Sequence, residues 1–150
     1  MDLKKCYIFG HSVGGTVGIR VAYQMTDVVS ALIIGDFPPF FPPFDKSWVS
    51  MVLKEQKRTI SKTALLGLAN EGKYLDVSDD FKNIFCDILL LKGGKKDSAF
   101  PTEQIPLLQK RVRSLEIEIL ADSGHDIFRP TPDKLVKSIV KFITELEKKQ

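Results

Sequence analysis

The sequence predicts an α/β domain, a three-layer sandwich built on a mostly parallel sheet of about four strands. Three observations carry this. Short apolar runs recur at Lys5 to Phe9, Ser30 to Gly35, Asp87 to Lys92 and Leu115 to Leu120, each of strand length. Helical patterns lie between them, and a helix between strands is the connection that parallel neighbours require. The first run leads at once into Gly10-His11-Ser12-Val13-Gly14-Gly15 and then into a helical pattern. A G-x-S-x-G match is informative in that strand–turn–helix context.

Lys5 to Phe9 reads as a buried strand, and Thr16 to Met25 as the helix behind the serine turn. The turn requires small residues at Gly10 and Gly14, where strand and helix backbones pass close together. No G-K-[ST] follows and the G-x-G-x-x-G spacing is absent, so a phosphate loop is disfavoured. Ser30 to Gly35 is a second buried strand, at βαβ distance from the first.

The segment Phe37-Pro38-Pro39-Phe40-Phe41-Pro42-Pro43-Phe44 holds four of the ten phenylalanines and four of the eight prolines. Proline fixes φ and removes a donor, which excludes helix and central strand. The phenylalanines favour an aromatic cleft wall or a hinge into a cap over an exposed P-x-x-P ligand. Helical spacing follows over Ser47 to Ile60 and Ser61 to Asn70, with a further turn or two at Val77 to Phe85 capped by Ser78. An inserted cap is expected over residues 37–86, and Phe37, Phe40, Phe41 and Trp48 are its candidate substrate-binding residues.

Asp87 to Lys92 is the third strand and Gln104 to Val112 a helix. Leu115 to Leu120 alternates apolar and charged, as an edge strand does. Thr131-Pro132 opens a final helix. Its apolar face holds Leu135, Val136, Ile139, Val140, Phe142, Ile143 and Leu146, packed on the sheet. The strands are expected in spatial order equal to chain order, with right-handed crossovers.

Composition bounds the rest. One domain is expected, over residues 1–36, 37–86 and 87–150 of the 150-residue chain. A net charge of +3 with scattered basic residues argues against nucleic acid. Cys6 and Cys86 read as buried, reduced thiols with no metal spacing. No signal peptide, membrane span, metal or cofactor is implied, and a cytoplasmic address is the default.

Open parallel sheets bind ligands at the carboxyl ends of their strands. Ser12 follows the first strand, Asp36 the second, Lys95-Lys96-Asp97 the third, and Ser123-Gly124-His125-Asp126 the fourth. A serine nucleophile needs a base. The chain has two histidines. His11 adjoins Ser12 and is expected to pack beneath the turn, so His125 is the candidate base. A base needs an orienting carboxylate. Asp97 is preferred, in a glycine-rich loop before Pro101, and Asp36 is the second choice. Asp122 and Asp126 lie too close to His125 in sequence.

These motifs resemble the α/β-hydrolase fold superfamily, in its serine esterase and lipase-like branch. Gly-His-Ser-Val-Gly-Gly resembles the nucleophile elbow. Leu-Leu-Leu-Lys-Gly-Gly-Lys-Lys-Asp-Ser-Ala-Phe-Pro resembles the acid strand and loop, and Ser-Gly-His-Asp the histidine loop. The resemblance implies Ser12 as nucleophile, His125 as general base, Asp97 as its orienter and the Val13 N–H as one oxyanion donor. It implies hydrolysis of a small-molecule carboxylic ester or related acyl compound, and it disfavours epoxide and carbon–halogen chemistry, which use an elbow aspartate.

The resemblance covers nearly all of this chain but only the C-terminal half of the family's domain. The expectation is therefore a partial domain of about four strands plus a short helical cap, lacking a second oxyanion donor and prone to association through an open sheet edge. The alternative is a non-catalytic truncated product or interaction module that retains the triad residues.

Overall fold

The computed structural model describes residues 4–55 and 60–149. The chain forms two compact units, one running up to Pro39 and resuming at Val77, the other Phe40–Asp76. In chain order the elements are β1 (Cys6–His11), α1 (Val13–Gln24), β2 (Val29–Gly35), β3 (Phe40–Phe41), α2 (Lys46–Glu55), α3 (Lys62–Glu71), β4 (Leu75–Asp76), a 3₁₀ helix (Ser78–Asn83), β5 (Asp87–Gly93), α4 (Ile105–Arg111), β6 (Leu115–Leu120) and α5 (Pro132–Lys148).

The first unit is an α/β sandwich. Its sheet has the order β1-β2-β5-β6, every pair parallel. Alternation along the strands separates two apolar layers. Leu32 and Ile34 of β2 and Ile88 and Leu90 of β5 face α1, the 3₁₀ helix and α4, meeting Ile19, Ala22, Phe81 and Leu108. Ala31, Ile33, Leu89 and Leu91 face α5, meeting Leu135, Phe142 and Leu146. Both faces of β2 and β5 are therefore covered, which is why their sequences are continuous apolar runs. On the α5 helix, Val136 and Val140 lie outside the packed face, each 55 % exposed. The expected apolar face is thus narrower than the sequence pattern, because a helix on a sheet buries one stripe.

β6 is an edge strand, as its alternation predicts. Leu115 and Ile117 pack toward α4's layer, Leu120 toward α5. Glu118 turns to α5, where it accepts a hydrogen bond from Ser138 Oγ at 2.6 Å. At the opposite edge, β1 pairs only with β2 among the described residues.

The second unit contains α2, α3 and the two-residue antiparallel pair β3–β4. Ser61 caps α3, accepting from the Ala64 N–H at 3.4 Å. Phe44 stacks on Trp48 at 3.9 Å between centroids and meets Phe41 edge-on at 4.9 Å. The unit is shorter than the expected 37–86 cap. Val77, Phe81 and Ile84 belong to the sheet's core instead. There Val77, not Ser78, precedes the 3₁₀ helix as its cap residue. The helix expected over Ser47 to Ile60 is described only through Glu55, since residues 56–59 lie outside the described residues. Cys6 and Cys86 are free thiols but only half-buried, and burial pushes the Cys86 thiol up to about 11. No helix among the described residues is long and apolar enough to cross a membrane.

Candidate active site

The parallel register brings the strand ends level. His11 is paired with Gly35, and Gly35 with Leu91. Ser12, Asp36 and the loop after β5 therefore emerge side by side at the carboxyl edge of the sheet.

Ser12 occupies the turn between β1 and α1 with φ 57 and ψ −135. A positive φ is costly for a serine and is held only when surrounding structure enforces it. Here the Ser12 N–H donates to the Gly35 carbonyl at 2.9 Å, and the Ser12 carbonyl accepts from Gly15 N–H at 2.8 Å. The close approach falls at Gly10, where a Cβ would stand 2.1 Å from the Gly14 carbonyl oxygen. A Cβ at Gly14 meets nothing within 4 Å, whereas one at Gly15 would meet Ile34 Cγ2 at 3.0 Å. A side chain is thus excluded at Gly10 and crowded at Gly15, while Gly14, expected to need a small residue, has room. Val13 is the first residue of α1, where an N–H has no intrahelical partner.

Ser12 Oγ lies 3.0 Å from His125 Nε2, and Asp36 Oδ2 lies 3.1 Å from His125 Nδ1. A carboxylate only accepts, so Nδ1 carries the proton and the Ser12 hydroxyl donates to Nε2. The carboxylate beside His125 is therefore Asp36, which corrects the expected preference for Asp97. Asp36 also has positive φ, 49, a conformation aspartate tolerates better than most residues. Its carboxylate is fully buried and accepts from four donors. Besides His125 these are the Gly93 N–H at 2.9 Å, the Ala99 N–H at 2.8 Å and Ser98 Oγ at 2.6 Å. The loop expected to supply the carboxylate beside His125 instead supplies donors that hold Asp36.

Asp97 itself is exposed. Its carboxylate sits against Gly124, where an added Cβ would fall 2.1 Å from Oδ1. It lines a polar surface cleft of about 310 Å³ with Lys95, Asp122, Asp126 and Arg129.

Burial alone would raise the Asp36 carboxyl. The bonds from His125, Ser98, Gly93 and Ala99 outweigh it and hold the group below its ordinary value. The hydrogen bond to Asp36 raises His125 above its ordinary value, against the opposing effect of burial.

His11 does not pack beneath the turn. Its Nε2–H donates to the His125 carbonyl at 2.7 Å, and its ring stacks on the His125 ring with centroids 5.0 Å apart. Phe128 closes edge-on against His11 at 5.1 Å. His11 thus ties the histidine loop to the end of β1, a contact across 114 residues that no local pattern signals. Of the expected cleft residues, Phe37 lies in the sheet unit, its ring 6.1 Å from that of His125. Phe40, Phe41 and Trp48 belong to the second unit.

No family model matches the sequence, and no curated protein matches it. Solved structures do. A predicted CIB-like hydrolase from Thermoplasma acidophilum aligns at 21 % identity and TM-score 0.61, over 94 % of this chain and 51 % of its own. An esterase from Exiguobacterium antarcticum aligns at 19 % identity and TM-score 0.62, over 91 % of this chain and 65 % of its own. An esterase of Pyrococcus furiosus aligns at 14 % identity and TM-score 0.62, over 95 % of this chain and 53 % of its own. The chain thus spans about half to two thirds of the length of the structures it matches. Sheet order, elbow and neighbours agree: the chain has the α/β-hydrolase fold, and it carries part of that domain.

Proposed function

We infer that the protein is a serine hydrolase acting on a carboxylic ester or related acyl compound through Ser12, His125 and Asp36. One observation carries the reading. A single line of hydrogen bonds runs from the strained elbow serine through both ring nitrogens of His125 to a buried carboxylate. Esterases stand among the structural neighbours beside a deformylase and an (acetamidomethylene)succinate hydrolase, which supports hydrolysis of an acyl compound.

In this reading Ser12 Oγ attacks the acyl carbon and His125 Nε2 takes its proton. The carbonyl oxygen becomes an oxyanion that the Val13 N–H can reach from the helix start. His125 then protonates the leaving alkoxide, and water, deprotonated by His125, releases the acid. Asp36 keeps the proton on Nδ1 and stabilises the imidazolium. Phe37 offers an apolar surface beside His125 for the acyl group.

The test is pre-steady-state hydrolysis of nitrophenyl acetate by the purified chain and by Ser12→Ala. A burst of nitrophenolate near one equivalent, absent in the variant, is expected. Turnover that survives in Ser12→Ala contradicts the reading.

The protonation state gives a second expected result. His125 acts as a base only when neutral, and its bond to Asp36 raises its pKa. The rate constant kcat/KM should therefore rise with pH along a limb centred above about 6.5, the ordinary histidine value. A limb centred below that value contradicts the Asp36–His125 pairing.

A further inference from the structure

Behind Asp36 stands a lysine that the proposed reaction does not use. Lys92, on β5, is 6 % exposed. Its Nζ donates to the Gly93 carbonyl at 2.8 Å and to Ser98 Oγ at 2.9 Å. Ser98 has one proton, and its close acceptor is Asp36 Oδ1 at 2.6 Å; the Phe100 carbonyl is farther, at 3.4 Å. The direction of the chain is therefore settled: Lys92 donates to Ser98, and Ser98 donates to Asp36. A buried ammonium is costly unless it is paired and hydrogen-bonded. An apolar side chain would satisfy this strand position, so the lysine calls for a reason.

The geometry points to Lys92 as a positioning residue that, through Ser98, restrains the basicity of the Asp36–His125 pair. This rests on the triad reading above. Asp36 beside Nδ1 favours the imidazolium, and an imidazolium cannot accept the serine proton. A positive charge one hydroxyl away from Asp36 opposes a second positive charge on His125. It thereby keeps more of His125 neutral, while the Ser98 bond holds Oδ1 and leaves Oδ2 facing Nδ1. The other groups around His125 are His11, stacked on its ring, Asp126, its chain neighbour and the partner of Arg129, and Asp97 against Gly124. None of them bonds to Asp36.

The test is an NMR pH titration of the histidine rings in the wild type, Lys92→Met, Lys92→Gln and Lys92→Arg. A His125→Gln variant identifies the signals of His11. Removing the charge should raise the His125 pKa by roughly half a unit to one unit in both neutral variants. Lys92→Arg should stay near the wild type. Lys92→Gln retains a donor for Ser98 and Gly93, so it decides the matter if Lys92→Met does not fold. The acid limb of kcat/KM should move up by the same amount with its high-pH plateau kept. A merely structural lysine would lower the plateau and leave the limb in place.

An unchanged or lowered His125 pKa in a folded neutral variant overturns the proposal. Failure of the triad reading looks different: Asp36→Asn would then leave the His125 pKa at its wild-type value, whatever Lys92 does.

Discussion

Changing Asp36 to Asn is expected to lower kcat/KM by about 10⁴-fold, the loss typical of a triad acid turned to its amide. Changing Asp97 to Asn should alter it less than about threefold. The first loss follows from donor and acceptor arithmetic. Asp36 accepts from His125, Ser98, Gly93 and Ala99, and an amide offers one oxygen in place of two. If that oxygen keeps Gly93 and Ser98, the amide nitrogen faces Ala99 N–H and His125 Nδ1–H, donor against donor. The imidazole relieves this by moving its proton to Nε2, which then confronts the Ser12 hydroxyl with no lone pair to receive its proton. Asp97 makes no hydrogen bond to His125, and its exposed position predicts little consequence. Steady-state ester hydrolysis by the two variants checks the pair, with circular dichroism confirming that both are folded. Equal losses, or a larger loss in Asp97→Asn, would contradict the placement of the acid.

The largest effect on stability is expected at Gly10. An alanine there puts a methyl 2.1 Å from the Gly14 carbonyl oxygen and 2.4 Å from its carbon. Backbone cannot rotate away as a side chain can, so α1 must shift off β1. The expected cost is about 3 kcal/mol or more, a fall in Tm of roughly 6–12 °C for a chain of this size. Gly14→Ala is the control. Its added methyl meets nothing within 4 Å, and alanine is the better helix former by up to about 1 kcal/mol. It should leave Tm unchanged or raise it slightly. Thermal unfolding of both variants decides this, and equal destabilisation would show that the crowding at the elbow lies elsewhere.

The sheet was legible in the sequence because its strands are buried on both faces and write themselves as unbroken apolar runs. Helices between those runs dictate parallel pairing, and strands that follow one another in the sheet sequence pair as neighbours, even across the long segment from Asp36 to Cys86. Ser12 and His125 were legible too, since Ser12 stands in the glycine-flanked turn after β1 and His125 is the one histidine that is not adjacent to it. The carboxylate beside His125 was not. Asp36 and Asp97 both follow strands, and spacing does not say which side chain turns inward. That choice is made by the positive φ at Asp36 and by donors 57 to 63 residues away in the loop from Gly93 to Ala99. The His11 contact with the His125 carbonyl was hidden for the same reason, being long-range. The glycine assignment failed because a motif gives positions while the clash depends on where each absent Cβ would point.

The most direct measurement of the central claim is mass-spectrometric mapping of the chain after reaction with a fluorophosphonate. Such a probe is attacked only by an activated serine. A single adduct on Ser12 is expected in the wild type and in Asp97→Asn, with labelling strongly slowed in Asp36→Asn and His125→Gln. No adduct on Ser12 in the folded wild type, or labelling of Ser12 at an undiminished rate in Asp36→Asn, would contradict a triad of Ser12, His125 and Asp36.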